Sequence, residues 1–406
     1  MEKLLDKFLR YVKIDTTSDE DAGTIPSFEG ERDLAELLKE ELLHLDLTDA
    51  EVTEDCFVFA TIPASEGYES SRTVGLLAHL DTAPDCTGKN VKPMVHEGYD
   101  GGVLKLSGGI FIDPVQYPEL LNYKGDTIVT SDGTTLLGAD DKAGIAIIMT
   151  AAQKLVEDKS LRHGPIRIGF TPDEEVSIGG ASIFDVDRFG ADFAITVDGD
   201  GIGELNCETF NACSYTVTVK GNNIHPAEAK GKMHNACTIA MEFDRLLPEK
   251  QRPEYTEGRE GFLHLCEMSG EVESAVLEYI LRDFEEEGLE EKRQMLKGAA
   301  DQLNAVYGAG TITLEEQYEY SNPRRLIVEA GDLLTVCAKA FDACGISARI
   351  TPIRGGTDGS TLADKGLACP NLFLGGHNYH SLREYASVEA MEKSAEILLK
   401  MIELFA

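Results

Sequence analysis

Short apolar runs alternate with helical stripes through the first half of the chain. Thr73–Leu80 (TVGLLAHL), Ile166–Thr171 (IRIGFT) and Ala191–Val197 (ADFAITV) have the length and composition of buried strands. Between the first two runs, Gly144–Leu155 repeats its apolar residues at helical spacing. Buried strands that alternate with helices predict an α/β fold, with helices on both faces of a sheet.

The middle of the chain has a different pattern, in which half-buried strands surround two helices. We predict the order βαββαβ, a split ferredoxin-like arrangement. The predicted elements are strand Ser214–Lys220, helix Asn235–Leu247, strands Phe262–Met268 and Ala275–Asp283, helix Glu285–Tyr307 and strand Thr311–Tyr318.

The last 80 residues return to the first pattern, with a helix at Asp332–Cys344, a strand at Cys369–Leu374 and a helix at Val388–Leu404. We therefore expect one discontinuous α/β domain formed by residues 1–212 and 322–406. A smaller α+β domain, residues 213–321, would be inserted between its two parts.

Composition narrows the classes of function. The chain has 406 residues, more than one hydrophobic core usually supports, and a formal net charge of −35. That charge argues against nucleic acid and anionic membranes as partners. Nine cysteines without any CxxC pair favour free thiols in a reducing compartment. Charges interrupt the apolar pattern of the first helix, so we expect no signal peptide or membrane span, and a cytoplasmic location.

Histidines and acids cluster at the ends of the predicted strands, where α/β sheets bind ligands. In LAHLDTAP, His79 and Asp81 project to the same face of a strand, and Asp81 is placed to fix the second nitrogen of a metal-binding imidazole. A lone HxD is a weak signal, since many such pairs lie on surfaces.

Two further clusters are acidic. LGADDKAG holds Asp140 and Asp141 before a helix, where an aspartate also serves as an N-cap. FTPDEEV holds Glu174 and Glu175 directly after a buried strand. A solvated turn is the alternative, but adjacent acids can also divide the work, with one binding metal and the other moving protons.

Two clusters lie near the ends of later strands. Asp198 ends a strand in ITVDGDGIGE, whose spacing does not fit an EF-hand calcium loop. In GGHNYHSLREY, both His377 and His380 have the chemistry of a metal ligand, and the residues alone do not separate them.

The order of these motifs resembles the superfamily of aminopeptidases and carboxypeptidases with two zinc ions, and most closely its bacterial aminotripeptidases. The likeness extends through KIDTTS, DTAPDCTGKNV, LLGADDKAGIA, FTPDEEV, GNNIHPAEAKG, YILRDF, PIRGGTDGS and CPNLFLGG, which span nearly the whole chain. It implies two zinc ions per subunit and an inserted domain that serves as lid and dimer interface. The five implied ligands are His79 and Asp198 for one ion, Glu175 and His380 for the other, and Asp140 as the bridge.

The resemblance also implies the reaction. Glu174 would be the general base that activates a zinc-bridging water, and Asp81 would orient His79. The enzyme would cleave the N-terminal peptide bond of tripeptides that have a free amine. His225 in GNNIHP would polarise the scissile carbonyl, often across a homodimer interface. Arg282 and Arg354 are candidates for the substrate carboxylate, since a guanidinium binds it with two parallel hydrogen bonds; each would otherwise be a structural ion pair.

The alternative enzyme is an amidohydrolase or dipeptidase of the same superfamily, which acts on dipeptides or N-acyl amino acids. It would keep all five ligands and differ in its pocket. A metal-binding protein without catalysis is disfavoured because the base and the ligands are all present.

Overall fold

The structure is a computed structural model that describes residues 2–176 and 179–406. Its α-helices are α1 (Leu4–Tyr11), α2 (Glu29–His44), α3 (Ala139–Glu157), α4 (Val186–Phe189), α5 (Ala236–Leu246), α6 (Glu286–Tyr307), α7 (Arg324–Glu329), α8 (Leu333–Ala343), α9 (Asp358–Asp364) and α10 (Val388–Phe405). Its strands are β1 (Glu51–Val52), β2 (Val58–Ile62), β3 (Val74–His79), β4 (Met94–His96), β5 (Leu104–Lys105), β6 (Phe111–Ile112), β7 (Ile128–Thr130), β8 (Ile166–Thr171), β9 (Phe193–Gly199), β10 (Glu204–Asn206), β11 (Asn211–Lys220), β12 (Phe262–Gly270), β13 (Ser274–Asp283), β14 (Ile312–Tyr320), β15 (Arg349–Thr351), β16 (Asn371–Phe373), β17 (Gly376–His377) and β18 (Tyr385–Ser387).

The chain divides into two compact units. The first contains the chain up to Cys207 together with Pro323–Thr351 and Thr357–Ala406. The second contains Glu208–Asn322 and the short segment Pro352–Gly356. The boundaries that we predicted from sequence were at 212/213 and 321/322, and the segment 352–356 was assigned there to the first domain.

A mixed eight-stranded sheet forms the centre of the first unit, in the order β1-β2-β8-β3-β9-β16-β10-β15. β3 runs parallel to both of its neighbours, β8 and β9, while β2 and β10 run antiparallel to β8 and β16. The register pairs His79 of β3 with Thr171 of β8, so these two strands end at the same level.

Successive side chains of β3 enter two different cores, because neighbouring strand residues face opposite sides of a sheet. Leu76 and Ala78 lie in the large core that also includes residues of α1, α3 and α10. Leu77 packs in a second core with Phe189 of α4 and Leu362 of α9. Helices therefore cover both faces of the sheet, and the predicted α/β fold class is confirmed.

The second unit has the element order βαββαβ, with an antiparallel sheet in the order β12-β13-β11-β14. β11 pairs with β13 from Asn211–Asp283 to Lys220–Ser274. Val217 and Leu277 of these strands share a core with Phe243 of α5 and Leu296 of α6. Burial of the apolar strand face against the two helices gives this unit its own core.

A smaller sheet in the first unit, β17-β18-β7-β4, lies within segments for which the sequence analysis assigned no strands. Tyr385 of β18 and Ile128 of β7 are buried in its core together with Tyr123. Within the described residues, no helix has both the length and the apolar character needed to cross a membrane.

Candidate metal centre

Three parallel neighbouring strands bring the predicted residues to one edge of the sheet. His79 is the last residue of β3, and Asp198 is the last residue but one of β9. Glu174 and Glu175 follow the end of β8 at Thr171. Because the carboxyl ends of parallel strands meet at the same edge, the four side chains converge there.

Asp140 lies between two histidine rings. Its Oδ1 is 2.9 Å from Nε2 of His79, and its Oδ2 is 3.4 Å from Nε2 of His380. Although α3 begins at Ala139, Asp140 and Asp141 have non-helical backbone angles, and the peptide bond between them is cis. By these two distances, one carboxylate oxygen of Asp140 faces each histidine, as a bridging ligand requires.

Each histidine also faces a second acid. Oδ1 of Asp198 lies 3.7 Å from Nε2 of His79, and Oε1 of Glu175 lies 3.0 Å from Nε2 of His380. The arrangement contains two overlapping sets of three donors, one around each imidazole, which share the carboxylate of Asp140.

These donors fit a pair of divalent metal ions. A tetrahedral ion with bonds of about 2.1 Å holds neighbouring ligand atoms about 3.4 Å apart, close to the observed separations. Oε1 of Glu175 is buried, and within the described residues it accepts no hydrogen bond of regular geometry, although Nε2 of His380 lies 3.0 Å away. Burial, and then the nearby carboxylate of Asp140, raises the pKa of both Asp198 and Glu175. A cation between these groups would remove that electrostatic cost.

Asp141 also lies near His79 and Asp198, with one ligand atom of each of the three within 4.8 Å of the others. Its two oxygens are already engaged by the backbone: Oδ2 accepts from His79 N and Oδ1 from Gly144 N, both at 3.1 Å. The bond to Gly144 gives a partner to a backbone N–H at the start of the regular part of α3. Asp141 therefore holds the backbone, while Asp140 faces the two rings.

Asp81 organises three groups through one buried carboxylate. Its Oδ1 accepts hydrogen bonds from Nδ1 of His79 at 3.2 Å and from the backbone N–H of Glu174 at 2.9 Å. Its Oδ2 accepts from the backbone N–H of Glu175 at 3.0 Å. Orientation of His79 was expected from the sequence. Restraint of the Glu174–Glu175 turn was not.

His377 and His380 differ sharply in their surroundings. Nε2 of His377 is 2.7 Å from the hydroxyl of Tyr123, and its ring lies 5.3 Å from that of Tyr385. Burial lowers the pKa of His377 to about 4, so the ring is neutral near pH 7. His380, in a left-handed backbone conformation, is the histidine that faces Asp140 and Glu175.

Three buried acids near the centre were missed by the sequence analysis. Asp358 accepts a hydrogen bond from the hydroxyl of Thr171, and Glu31 accepts one from the backbone N–H of Asp173 at 3.1 Å. Glu384 accepts from the turn that leads into Asp140. Asp358 and Glu384 lie inside motifs quoted above, PIRGGTDGS and GGHNYHSLREY, but neither residue ends a predicted strand.

The other three predicted residues lie in the second unit. His225 is exposed, and its Nδ1 accepts from the N–H of Ala227 at 3.2 Å. Arg282 forms an ion pair with Glu319. Nη1 of Arg354 donates to the carbonyl oxygens of Gly258 and Glu260, each at 2.8 Å. Both guanidinium groups thus have partners within that unit.

Comparison with known proteins identifies relatives along the whole chain. Residues 124–404 match the family described as Peptidase family M20/M25/M40. Peptidase T of Alkaliphilus oremlandii (strain OhILAs) is 47% identical over 409 residues, and the match covers 100% of both chains. Peptidase T of Bacillus subtilis (strain 168) is 46% identical over 406 residues, which cover 100% of this chain and 98% of the relative.

Among solved structures, a tripeptidase from Staphylococcus aureus superposes with a TM-score of 0.78 at 21% identity, over 99% of this chain and 98% of that chain. At this identity the likeness concerns the fold. The family match and the full-length identity to the peptidase T proteins are much stronger evidence of family membership than this structural likeness. The chain belongs to peptidase family M20/M25/M40, among the relatives named peptidase T, and is a peptidase.

Proposed function

We propose that the chain is an aminopeptidase that removes the N-terminal residue of tripeptides with the help of two zinc ions. The observation that carries this proposal is the carboxylate of Asp140, which directs one oxygen to each of two histidines. His79 and Asp198 would hold one ion, and Glu175 and His380 the other, with Asp140 shared. Nitrogen and oxygen donors in sets of three, each leaving one position open, are typical of catalytic zinc.

Glu174 is the proposed general base. When bound, zinc polarises a carbonyl and lowers the pKa of a water molecule to about 7. The carboxylate of Glu174 would take the proton of the attacking water and then deliver it to the nitrogen of the leaving amine. Burial and the neighbouring carboxylates of Asp198 and Asp358 raise the pKa of Glu174, which favours a group that both accepts and returns a proton.

Asp81 supports this assignment by holding the base and a ligand together. Because the same carboxylate binds the ring of His79 and the backbone of Glu174, the two groups keep a fixed separation. Glu174 and Glu175 are adjacent, and Asp81 holds the backbone N–H groups of both. Their side chains can therefore keep separate positions, one as the base and the other as a ligand. Fixed geometry of this kind is what an effective proton transfer requires.

We assign the scissile carbonyl and the substrate carboxylate to residues of the second unit. We propose that His225 polarises the scissile carbonyl and that Arg282 or Arg354 binds the carboxylate of the peptide. Both arginines use some N–H groups for hydrogen bonds within the protein, but a guanidinium has five donors, so others remain for a substrate carboxylate. The acidic donors around Asp140 suit the protonated amine of the substrate.

The proposal includes a homodimer formed through the second unit and a cytoplasmic location. The nine cysteines are free within the structure, and the formal charge of −35 favours small peptides with a cationic end over polyanions. Light scattering of the purified protein tests the dimer: a mass near 88 kDa is expected from the 44.2 kDa chain (2 × 44.2), and a monomeric mass contradicts it.

A panel of peptides tests the reaction. Dipeptides, tripeptides and tetrapeptides with the same N-terminal residues would be offered with free or acetylated amines, and the released residue measured. We expect fast turnover of free tripeptides only. Equal rates at all three lengths, or a preference for acetylated substrates, would replace the proposal with the dipeptidase or amidohydrolase alternative.

A further inference from the structure

We propose that Glu384 is a positioning residue that fixes the carboxylate of Asp140 between His79 and His380. This inference rests on the proposed function, since it concerns the geometry of the metal ligands. Glu384 does not itself face the two histidines, and no role was assigned to it from the sequence.

Glu384 is only 2% exposed, and four consecutive backbone N–H groups donate to its carboxylate. Oε2 accepts from Leu137 at 2.7 Å and from Gly138 at 2.8 Å, and Oε1 accepts from Ala139 at 2.6 Å and from Asp140 at 3.1 Å. Both oxygens are fully used by the turn. The carboxyl group is thus surrounded by amide dipoles that point their N–H ends at its two oxygens.

The turn needs such a partner because it lacks regular structure of its own. Gly138 has a φ of +80°, and Asp140 and Asp141 depart from helical angles although α3 begins at Ala139. Groups in such a backbone find no partners within a helix or a sheet, so buried N–H groups require an acceptor from elsewhere. Glu384 supplies this acceptor, and it thereby fixes the backbone position from which the side chain of Asp140 extends.

Glu384 also belongs to the segment that carries His380. The backbone N–H of Glu384 donates to the carbonyl of Ser381 at 3.2 Å, and the hydroxyl of Ser381 donates to the carbonyl of Asn378 at 2.6 Å. His380 lies inside this compact turn. One carboxylate therefore joins the turn of His380 to the turn of Asp140, and it controls the separation between the two ligands.

If Glu384 had a purely structural role, its substitution would lower stability without changing the coordination or affinity of the metal ions. The test must therefore measure metal coordination and affinity directly. The variant is Glu384→Gln, which keeps the size of the side chain but puts an NH2 group against two of the four donors. The matched control is Glu389→Gln. Glu389 is exposed and also accepts a backbone N–H, from Thr127 at 2.7 Å, but it contacts no proposed ligand.

Both variants of the full chain would be loaded with Co²⁺, and two quantities recorded: the visible d–d absorption spectrum and the zinc dissociation constant by chelator competition. For Glu384→Gln we expect a shifted spectrum and a dissociation constant raised about 10- to 100-fold, the usual effect of losing a group that orients a ligand. Glu389→Gln should match the unaltered protein. An unchanged spectrum and unchanged affinity in Glu384→Gln would overturn the inference.

If Glu384→Gln does not fold, Glu384→Asp replaces it, because the shorter side chain keeps the charge and both acceptors. The same spectral shift is expected, and its absence would again contradict the inference. Failure of the proposed function has a different signature. A protein that binds Co²⁺ with a spectrum sensitive to Glu384 but cleaves no tripeptide would support the positioning role and refute the proposed reaction.

Discussion

Asp81 is connected to Glu174 through the backbone: the N–H of Glu174 donates a 2.9 Å hydrogen bond to Oδ1 of Asp81. The same oxygen accepts from the ring of His79. The proposed base and a proposed ligand thus depend on one atom, although they come from strands that are distant in sequence.

We expect Asp81→Asn to impair metal binding and catalysis together. An amide has one acceptor oxygen in place of two, so at least one N–H of the Glu174–Glu175 turn loses its partner, at a cost of about 1–3 kcal/mol. Zinc affinity and kcat should each fall about 10- to 100-fold. Zinc content after dialysis and steady-state kinetics measure these effects. Asp158→Asn, at an exposed aspartate that also accepts a backbone N–H from Ser160, is the control and should change neither.

Glu174→Ala should separate chemistry from metal binding. Because Glu174 is a base and not a ligand in the proposed arrangement, the variant should keep both zinc ions and lose about 10²- to 10⁴-fold in kcat. Elemental analysis of the protein and tripeptide turnover give the two numbers. Retained turnover would remove Glu174 from the mechanism, and loss of zinc would show that it serves as a ligand.

The two neighbouring histidines should respond differently to substitution. We expect His380→Ala to lose one of the two zinc ions, because its Nε2 faces Asp140 and Glu175. His377→Phe should keep both ions, since Nε2 of His377 is occupied by the hydroxyl of Tyr123. The number of zinc ions bound per chain, measured for each variant, tests both expectations. Retention of both ions in His380→Ala would indicate that the ligand lies elsewhere.

His377 should also make stability fall in mild acid. Burial lowers its pKa to about 4, against about 6.5 in an unfolded chain. Above pH 6.5 both states are neutral. As the pH falls from about 6.5 to 4, the unfolded chain takes up the proton first, so the native state loses up to about 3 kcal/mol, less what solvent screening of the part-exposed ring removes.

Urea unfolding of the metal-free protein at pH 7 and pH 4.5 measures this loss. In His377→Phe the difference between the two pH values should be smaller than in the unaltered protein. An equal difference in the two proteins would mean that His377 is protonated in the native state as easily as in the unfolded chain.

A pair of substrates should reveal which arginine binds the peptide carboxylate. For the arginine that does so, substitution by Gln should raise KM for a free tripeptide about 10- to 100-fold, because a charge-assisted hydrogen bond contributes about 1.5–3 kcal/mol. The corresponding tripeptide amide should be unaffected. Arg282→Gln and Arg354→Gln are each other's control. Equal effects on both substrates would assign that arginine to its contacts with Glu319 or Gly258.

Much of this fold was predictable because its strands and helices bury apolar residues that recur at regular spacing in the sequence. The run Ile166–Thr171 became β8 with the same limits, and the stripe at 144–155 lies within α3. The segment Pro352–Gly356 was missed because its place in the second unit depends on partners such as Glu208, whose carbonyl accepts from the N–H of Ile353. Such contacts leave no local pattern.

The candidate site likewise contains residues that the sequence made predictable and residues that it did not. Acids and a histidine after buried strands were visible as residue types in His79, Glu174 and Asp198. The distinction between His377 and His380 depends on left-handed backbone angles at Asn378 and His380, which residue types do not encode. Glu384 was missed because its partners are backbone N–H groups about 245 positions earlier in the chain.

The order of the donors along the chain has a consequence for biosynthesis. His79 and His380 are 301 positions apart (380 − 79), and the whole second unit is translated between them. At about 5–20 residues per second, a ribosome needs about 15 to 60 s to proceed from one to the other. β16, which lies between β9 and β10 in the main sheet, emerges only just before His380. If the proposed ligands hold the metal, a nascent chain carries its acids and first histidine for most of its synthesis without a complete centre, and metal loading would follow the synthesis of the final segment.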